Sequence, residues 1–180
     1  IMSLDSYNKE DFDKLIQGFK NQKGADLSMA EDLSVGVMNL ISLEEHFFFT
    51  GVKTGNDSYF DTASQIRNLR KETMEILLPS HEGETWCATK HLLASTMRLV
   101  EVANRFQAEG KKEEAKKMFY RAYKTYSIFW ALRLKLISVK NGSEILSNEN
   151  KEVKQSVNKD DSKKWTVEDI TTKLADCCTE

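Results

Sequence analysis

The chain has 180 residues, of which 40% are hydrophobic and 30% are charged, and its formal net charge is -2. This length and composition predict a single soluble domain. The charge argues against a general nucleic-acid binder, which is usually basic. No apolar run of about 18 uncharged residues is present, so no membrane span is predicted. With no signal-peptide pattern and an odd number of cysteines, the sequence predicts a cytoplasmic protein without a disulfide framework.

A low content of helix-breaking residues, one proline and eight glycines, favours an all-α fold of long helices. Near the N-terminus, apolar residues recur at helical spacing: Phe12, Leu15, Ile16 and Phe19. They predict an N-terminal helix, within residues 1–25, that packs on the outside of the main body.

The longest apolar stretch predicts a first long helix. We expect it to begin at a capping box formed by Ser28 and Glu31 and to run to about Gly51. Three further stretches predict helices of similar length: about 59–78, 84–109 and 112–139. The turns between them carry residues that end or redirect helices: Gly55, Pro79 and Gly110. Short connections between long helices predict an up-down antiparallel four-helix bundle over residues 26–141.

The composition changes after this bundle. Residues 142–164 are rich in asparagine, serine, lysine and glutamate, which predicts a flexible polar linker. Residues 165–180 predict a short C-terminal helix that begins at the segment Thr166–Asp169, and its modest apolar side is expected to dock on the body.

One acidic residue, Glu44, falls at the centre of the apolar stripe of the first long helix. A carboxylate that faces a core is costly unless it is paired, bound to a ligand or neutral. Arg70 and Arg133 occupy the equivalent central position on the second and fourth helices, and Arg67 lies at the edge of its stripe. One interpretation is a buried ion-pair network that fixes the register of the helices.

The other interpretation is a ligand pocket. Two arginines against one carboxylate leave an excess of positive charge, which a small anionic ligand would balance through bidentate contacts. Aromatic residues of the fourth helix, Tyr126 and Trp130, would then form flat walls of the pocket.

A metal site is a further candidate. Cys87 and His91 are four residues apart on one helix face, which allows both to bind zinc, and Glu45 and His46 would add ligands from the first long helix. The chain lacks the Glu-x-x-His pairs of di-iron bundles, so it departs from the ferritin-like pattern. The sequence names no cofactor.

Two short segments resemble known families. Arg67-Asn68 resembles the start of the HEPN ribonuclease motif, but the positions of its histidine hold Glu72, Thr73 and Met74, so that activity does not carry over. Residues 102–123 resemble one tetratricopeptide-type hairpin. The residues that carry this resemblance are Ala103, Phe106, Gly110, Glu113, Glu114, Ala115 and Ala122. It implies a tight turn between the third and fourth helices, and no second copy follows at the period of about 34 residues.

Together these features predict a small cytoplasmic helical-bundle binding or interaction protein with a buried Glu/Arg cluster. The alternative is an enzyme or cofactor protein that binds a small anionic ligand through Arg70 and Arg133, or less favourably a zinc protein. The surplus of aromatic residues in Phe47–Phe49 and on the fourth helix also predicts a homodimer formed through a helix face.

Overall fold

The computed structural model describes residues 27–81 and 83–137, together with residues 10, 13–14, 17–18, 166, 168–169 and 172. Four helices follow one another in the larger part: α1 (Leu27–Thr54), α2 (Ser58–Leu77), α3 (Thr85–Ala108) and α4 (Lys112–Arg133). The described residues contain no strand, which confirms the all-α prediction. No helix among them is long and apolar enough to cross a membrane.

The predicted helix ends are close for α2 and α3 and less so for the outer two helices. Helix α1 already includes Leu27, so Ser28 lies inside the helix and is not its N-cap. The same helix continues past Gly51 to Thr54. Helix α4 ends at Arg133, and its predicted continuation to residue 139 is wrong.

Helix α4 ends in a C-terminal cap with a tight turn of the backbone. Leu136 N donates to Ala131 O at 2.9 Å, and Lys135 N donates to Leu132 O at 3.0 Å. These two bonds form a Schellman motif, which requires the residue after the C-cap to adopt a left-handed backbone. That residue is Lys135, with φ of 57°, and it is the only non-glycine residue with positive φ in the described ranges. Lysine at this position gives no stop signal in the sequence.

The end of α3 follows the same motif with the expected residue. Lys111 N donates to Phe106 O at 2.9 Å, Gly110 N donates to Gln107 O at 3.1 Å, and Gly110 has φ of 75°. Glycine adopts this conformation without steric cost. The predicted glycine cap is therefore confirmed, and α3 and α4 pack along each other as a hairpin, as the tetratricopeptide-type resemblance implies.

The core lies where two helical hairpins meet. The broadest interfaces join helices adjacent in the chain, α1 with α2 and α3 with α4, while a smaller interface joins α1 to α3. Side chains from all four helices form one buried cluster, whose largest members are Val37, Met74, Leu77, Leu93, Phe129 and Trp130. A polar contact also crosses between the hairpins, since Ser34 Oγ lies 2.7 Å from Tyr126 Oη.

Near the N-terminus, the described residues 10, 13–14 and 17–18 have helical backbone, and Lys14 Nζ pairs with Glu10 at 2.7 Å. The apolar residues of the predicted N-terminal helix, the predicted linker over 142–164 and the adjacent cysteines Cys177 and Cys178 lie outside the described residues.

The described part of the C-terminal segment contacts α4. Thr166 N and Thr166 Oγ1 donate to Asp169 Oδ2 at 2.9 and 3.0 Å, which is the geometry of a capped helix start. Tyr123 Oη on α4 donates to Glu168 O at 3.1 Å and lies 2.5 Å from Thr172 Oγ1. These hydrogen bonds attach the segment to the middle of α4.

Candidate functional site

Two neighbouring glutamates on α1 point to different helices, because successive helical residues differ in direction by about 100°. The first of them, Glu44, faces α2. Its Oε1 accepts a hydrogen bond from Arg67 Nε at 2.6 Å, and its Oε2 accepts one from Arg70 Nε at 2.9 Å. Burial raises the pKa of Glu44, but the hydrogen bonds and charges of Arg67 and Arg70 outweigh that effect and hold the pKa below its usual range.

The two arginines of this cluster differ in their surroundings. The Arg67 side chain is 60% exposed, whereas the Arg70 side chain is 7% exposed. Arg70 Nη1 has only a weak acceptor nearby, Met74 Sδ at 3.7 Å. Glu44 therefore compensates a buried cation, and its removal would leave that charge unpaired.

The second glutamate, Glu45, faces α3. Its carboxylate pairs with Arg98, and Arg98 also donates from Nη1 to Glu101 Oε2 at 2.7 Å. The carboxylates of Glu101 and Glu45 raise the pKa of the Arg98 guanidinium. All three side chains are about half exposed, so this network contributes little to stability.

Arg133 does not join the Glu44 cluster. Its Cζ lies 5.6 Å from the centroid of the Trp130 ring, and its buried Nε has no hydrogen-bond partner. Burial lowers the pKa of the Arg133 guanidinium, and no carboxylate among the described residues offsets that effect. The structure thus brings together Glu44, Arg67 and Arg70 and leaves Arg133 apart.

The two aromatic residues expected beside an anionic ligand lie in or against the core. Trp130 is fully buried and Tyr126 is half-buried, with their rings 6.1 Å apart in an edge-to-face arrangement. Tyr126 Oη bonds to Ser34 of α1. The indole Nε1 of Trp130 is buried without an acceptor.

The four side chains proposed to hold zinc are dispersed. Cys87 and His91 are exposed on α3, and the exposed His46 packs edge-on against Phe47 at 5.5 Å. Glu45 pairs with Arg98. In the described part of the chain, no three histidine, cysteine, aspartate or glutamate side chains are grouped so that they could hold a metal ion.

A groove that the sequence interpretation did not anticipate follows the face of α1 around these glutamates. One depression, of about 340 Å³, lies between α1 and α2, and another, of about 580 Å³, lies between α1 and α3. Both share Ile41 and Glu45. The first is also lined by Glu44, Phe48, Phe60, Ala63, Ser64 and Arg67, and the second by Ser42, Ala94, Ser95, Arg98 and Leu99. We call this pair of depressions the α1 groove.

The sequence does carry a signal for this groove. Pairs of small residues, Ala63-Ser64 and Ala94-Ser95, occur inside long helices, where larger side chains would close the space. At one end, Phe60 lies against Gly51, with a ring carbon 2.8 Å from the position that a Cβ atom on Gly51 would take. The glycine lets the ring of Phe60 approach the backbone of α1.

Comparison of the chain with protein-family models, with curated proteins and with solved structures found no match. Its function is therefore inferred from its own residues. They provide an open groove crossed by paired charges, and separately, on α3 and α4, buried hydrogen-bond donors without acceptors.

Proposed function

We propose that this protein is a cytoplasmic interaction module whose α1 groove receives a helix of a partner protein. The observation that carries the proposal is that the two depressions share Ile41 and Glu45 and so follow the same strip of α1. A groove between helices is a common docking site for an amphipathic helix. The proposal takes the four helices as the up-down bundle that the sequence predicts.

The walls of the groove support this occupant. Small side chains line both sides, with Ala63 and Ser64 on α2 and Ala94 and Ser95 on α3. Short side chains leave room for a helix to approach, since a helix with its side chains is about 10 Å wide. A flat interface would not need this pattern on two helices.

The charges of the groove favour a largely apolar occupant over a free anion. Arg67 is paired with Glu44, and Arg98 is paired with Glu45 and Glu101. Exposed aromatic rings lie at the end of the groove, since Phe48 is 50% and Phe60 38% exposed. Aromatic residues are enriched in protein interfaces and often dominate their energy.

Site-specific photo-crosslinking tests the proposal. A photoreactive amino acid in place of Ser95, inside the groove, should give a discrete adduct in expressing cells. The same probe in place of Lys117, which is exposed on α4, is the matched control. A second substitution across the groove, Ser64→Arg, should remove the Ser95 adduct by filling the groove. Equal adducts at both probe positions, or an adduct that survives Ser64→Arg, would contradict the proposal.

The same experiment identifies the occupant. An adduct of two copies, together with light scattering that gives twice the chain mass of 20.7 kDa, assigns the groove to the predicted homodimer. If the adduct has another mass and light scattering gives the mass of a monomer, the groove is assigned to a different partner.

A further inference from the structure

The α2 wall of the α1 groove carries an excess of positive charge. Two guanidinium groups, Arg67 and Arg70, share the single carboxylate of Glu44. Arg70 is buried, whereas Arg67 lines the groove with a side chain that is 60% exposed. Arg67 donates to Glu44 through Nε, and no described residue accepts a hydrogen bond from its two terminal nitrogens. These nitrogens are therefore available to a carboxylate that enters the groove.

The α3 wall carries the opposite excess. Two carboxylates, Glu45 and Glu101, share the guanidinium of Arg98. Glu45 and Arg98 line the groove, and Glu101 adjoins it through its bond to Arg98. Each carboxylate accepts through Oε2, so its Oε1 atom is available to another donor. A cationic side chain that enters the groove can therefore pair with these carboxylates.

The two charged walls lie at the same level of the groove. Glu44 and Glu45 are consecutive residues of α1, so they differ by about 1.5 Å in height and about 100° in direction. An occupant at this level meets available donors on one side and available acceptors on the other. A small anion or a small cation would satisfy only one wall, so the pattern fits an occupant that carries both charges.

The groove continues past this level as an apolar surface. Phe48 and Phe60 line it with their ring centroids 6.5 Å apart. Val52, one turn after Phe48 on the same face of α1, is 61% exposed. From Ile41 to Val52 the helix rises about 16 Å, or about three turns. This length is sufficient to contact the apolar stripe of a short amphipathic helix.

We infer that the partner helix carries an acidic side chain against Arg67 and a basic side chain against Glu45 and Glu101, one on each side of an apolar stripe. This inference rests on the proposed function and adds the chemistry of the partner. Because consecutive residues of a helix differ by about 100° in direction, an acid and a base that are neighbours in the partner sequence reach opposite walls. Such charge-assisted hydrogen bonds discriminate between partners, because like charges at the same positions repel.

The probes are four fluorescent peptides of about 15 residues, each closed by a hydrocarbon crosslink on its outward face because so short a helix is marginal in water. They share one apolar stripe of alanine and leucine. They differ at two adjacent central positions that flank the stripe, which hold glutamate and lysine, glutamate and glutamine, glutamine and lysine, or glutamine twice. Fluorescence anisotropy gives the Kd of each. The peptide with both charges should bind about tenfold more tightly than the neutral peptide, with each charge contributing about threefold.

Two substitutions assign each charge of the peptide to one wall. Arg67→Gln should remove the preference for glutamate and leave the preference for lysine unchanged. Glu101→Gln should reduce the preference for lysine and leave the preference for glutamate unchanged. Both side chains are more than half exposed, so the fold should tolerate the changes. The matched controls, Lys117→Gln and Glu114→Gln, remove exposed charges on α4 and should change neither preference.

The outcomes separate this inference from the proposed function. If all four peptides bind equally and Ser64→Arg abolishes their binding, the groove receives a helix but the inference about its charges is overturned. If no peptide binds, both proposals fail. A preference for glutamate that survives Arg67→Gln overturns the inference, because the peptide then binds elsewhere. If light scattering gives a dimer that the doubly charged peptide does not dissociate, a second copy occupies the groove and the inference also fails.

Discussion

Arg70 Nε on α2 donates to Glu44 Oε2 on α1 at 2.9 Å, from a side chain that is 7% exposed. The other arginine of the cluster, Arg67, is 60% exposed and can be hydrated if the pair breaks. The bond to Arg70 therefore dominates the contribution of the cluster to stability, because a buried cation without its partner is far more costly than an exposed one.

Glu44→Gln should lower the free energy of unfolding by about 2 kcal/mol, because it removes the charge that compensates Arg70. Urea denaturation measures the change. The matched control is Glu45→Gln, whose partner Arg98 is half exposed, and it should change the free energy by less than about 0.5 kcal/mol. Equal effects of the two substitutions would contradict the assignment of Glu44 as the partner of a buried charge.

The Glu44 pair should also be visible in the pH dependence of stability. Its folded-state pKa is lowered, so the ionised form is favoured by folding and its stabilising effect is complete at neutral pH. This effect should fade as the pH falls below about 4.3, the usual pKa of an unfolded glutamate, and through the lower folded-state pKa. The difference in stability between the wild type and Glu44→Gln should shrink over that range. If the difference in stability between the wild type and Glu44→Gln stays constant down to acidic pH, the lowered pKa of Glu44 is contradicted.

Two glycines of α1 provide a matched pair. Gly36 has open space where a Cβ atom would stand, whereas a Cβ on Gly51 would meet the Phe60 ring at 2.8 to 3.1 Å. Gly36→Ala should stabilise the protein by about 0.5–1 kcal/mol through helix propensity. The free energy of unfolding of Gly51→Ala should be lower than that of Gly36→Ala by about 1–3 kcal/mol, because the ring of Phe60 must move. Thermal unfolding of both variants tests this, and equal gains would show that Phe60 moves without cost.

The helix ends at Gly110 and Lys135 use the same left-handed backbone with different residues. Lys135→Gly should raise the free energy of unfolding by about 1 kcal/mol, since glycine adopts this conformation without the clash of a side chain. Gly110→Ala should lower it by a similar amount. Chemical denaturation provides both values. A loss of stability in Lys135→Gly would mean that the lysine side chain makes a compensating contact.

Tyr123 should control the docking of the C-terminal segment. Tyr123→Phe removes the hydroxyl that bonds to Glu168 and Thr172, so amide exchange at Glu168, Asp169 and Thr172 should become several-fold faster while exchange in α1–α4 is unchanged. Tyr120→Phe, which alters a half-exposed neighbour on the same helix, is the control. Unchanged exchange in Tyr123→Phe would show that these two hydrogen bonds do not control the docking of the segment.

The sequence was sufficient to predict the helices because their apolar periodicity is regular and the turns contain Gly55, Pro79 and Gly110. It was not sufficient at the end of α4, where Lys135 takes a conformation that glycine usually adopts. Nor could periodicity reveal the α1 groove, since a groove depends on which helix faces remain uncovered after packing.

The candidate cluster shows a second limit. A helical wheel gives the direction of a side chain and not its height along the helix, so Glu44, Arg70 and Arg133 were equivalent in that projection. Counting from the turn at Gly55 distinguishes them, because Arg67 follows the turn by about as many residues as Glu44 precedes it, and Arg70 lies one helical turn further along α2. Arg133 lies at the far end of α4, and among the described arginines Arg67 and Arg70 are the two that pair with Glu44.

The pairing of chain-adjacent helices has a consequence for how quickly the protein folds. Each hairpin is built from one continuous stretch of chain, and helical proteins dominated by such local contacts fold in microseconds to milliseconds. The bond between Ser34 and Tyr126 instead joins residues 92 positions apart, and closing so long a loop carries a larger entropy cost. We therefore expect the two hairpins to form early and to meet late, so that the conformational search ends with the joining of two preformed halves.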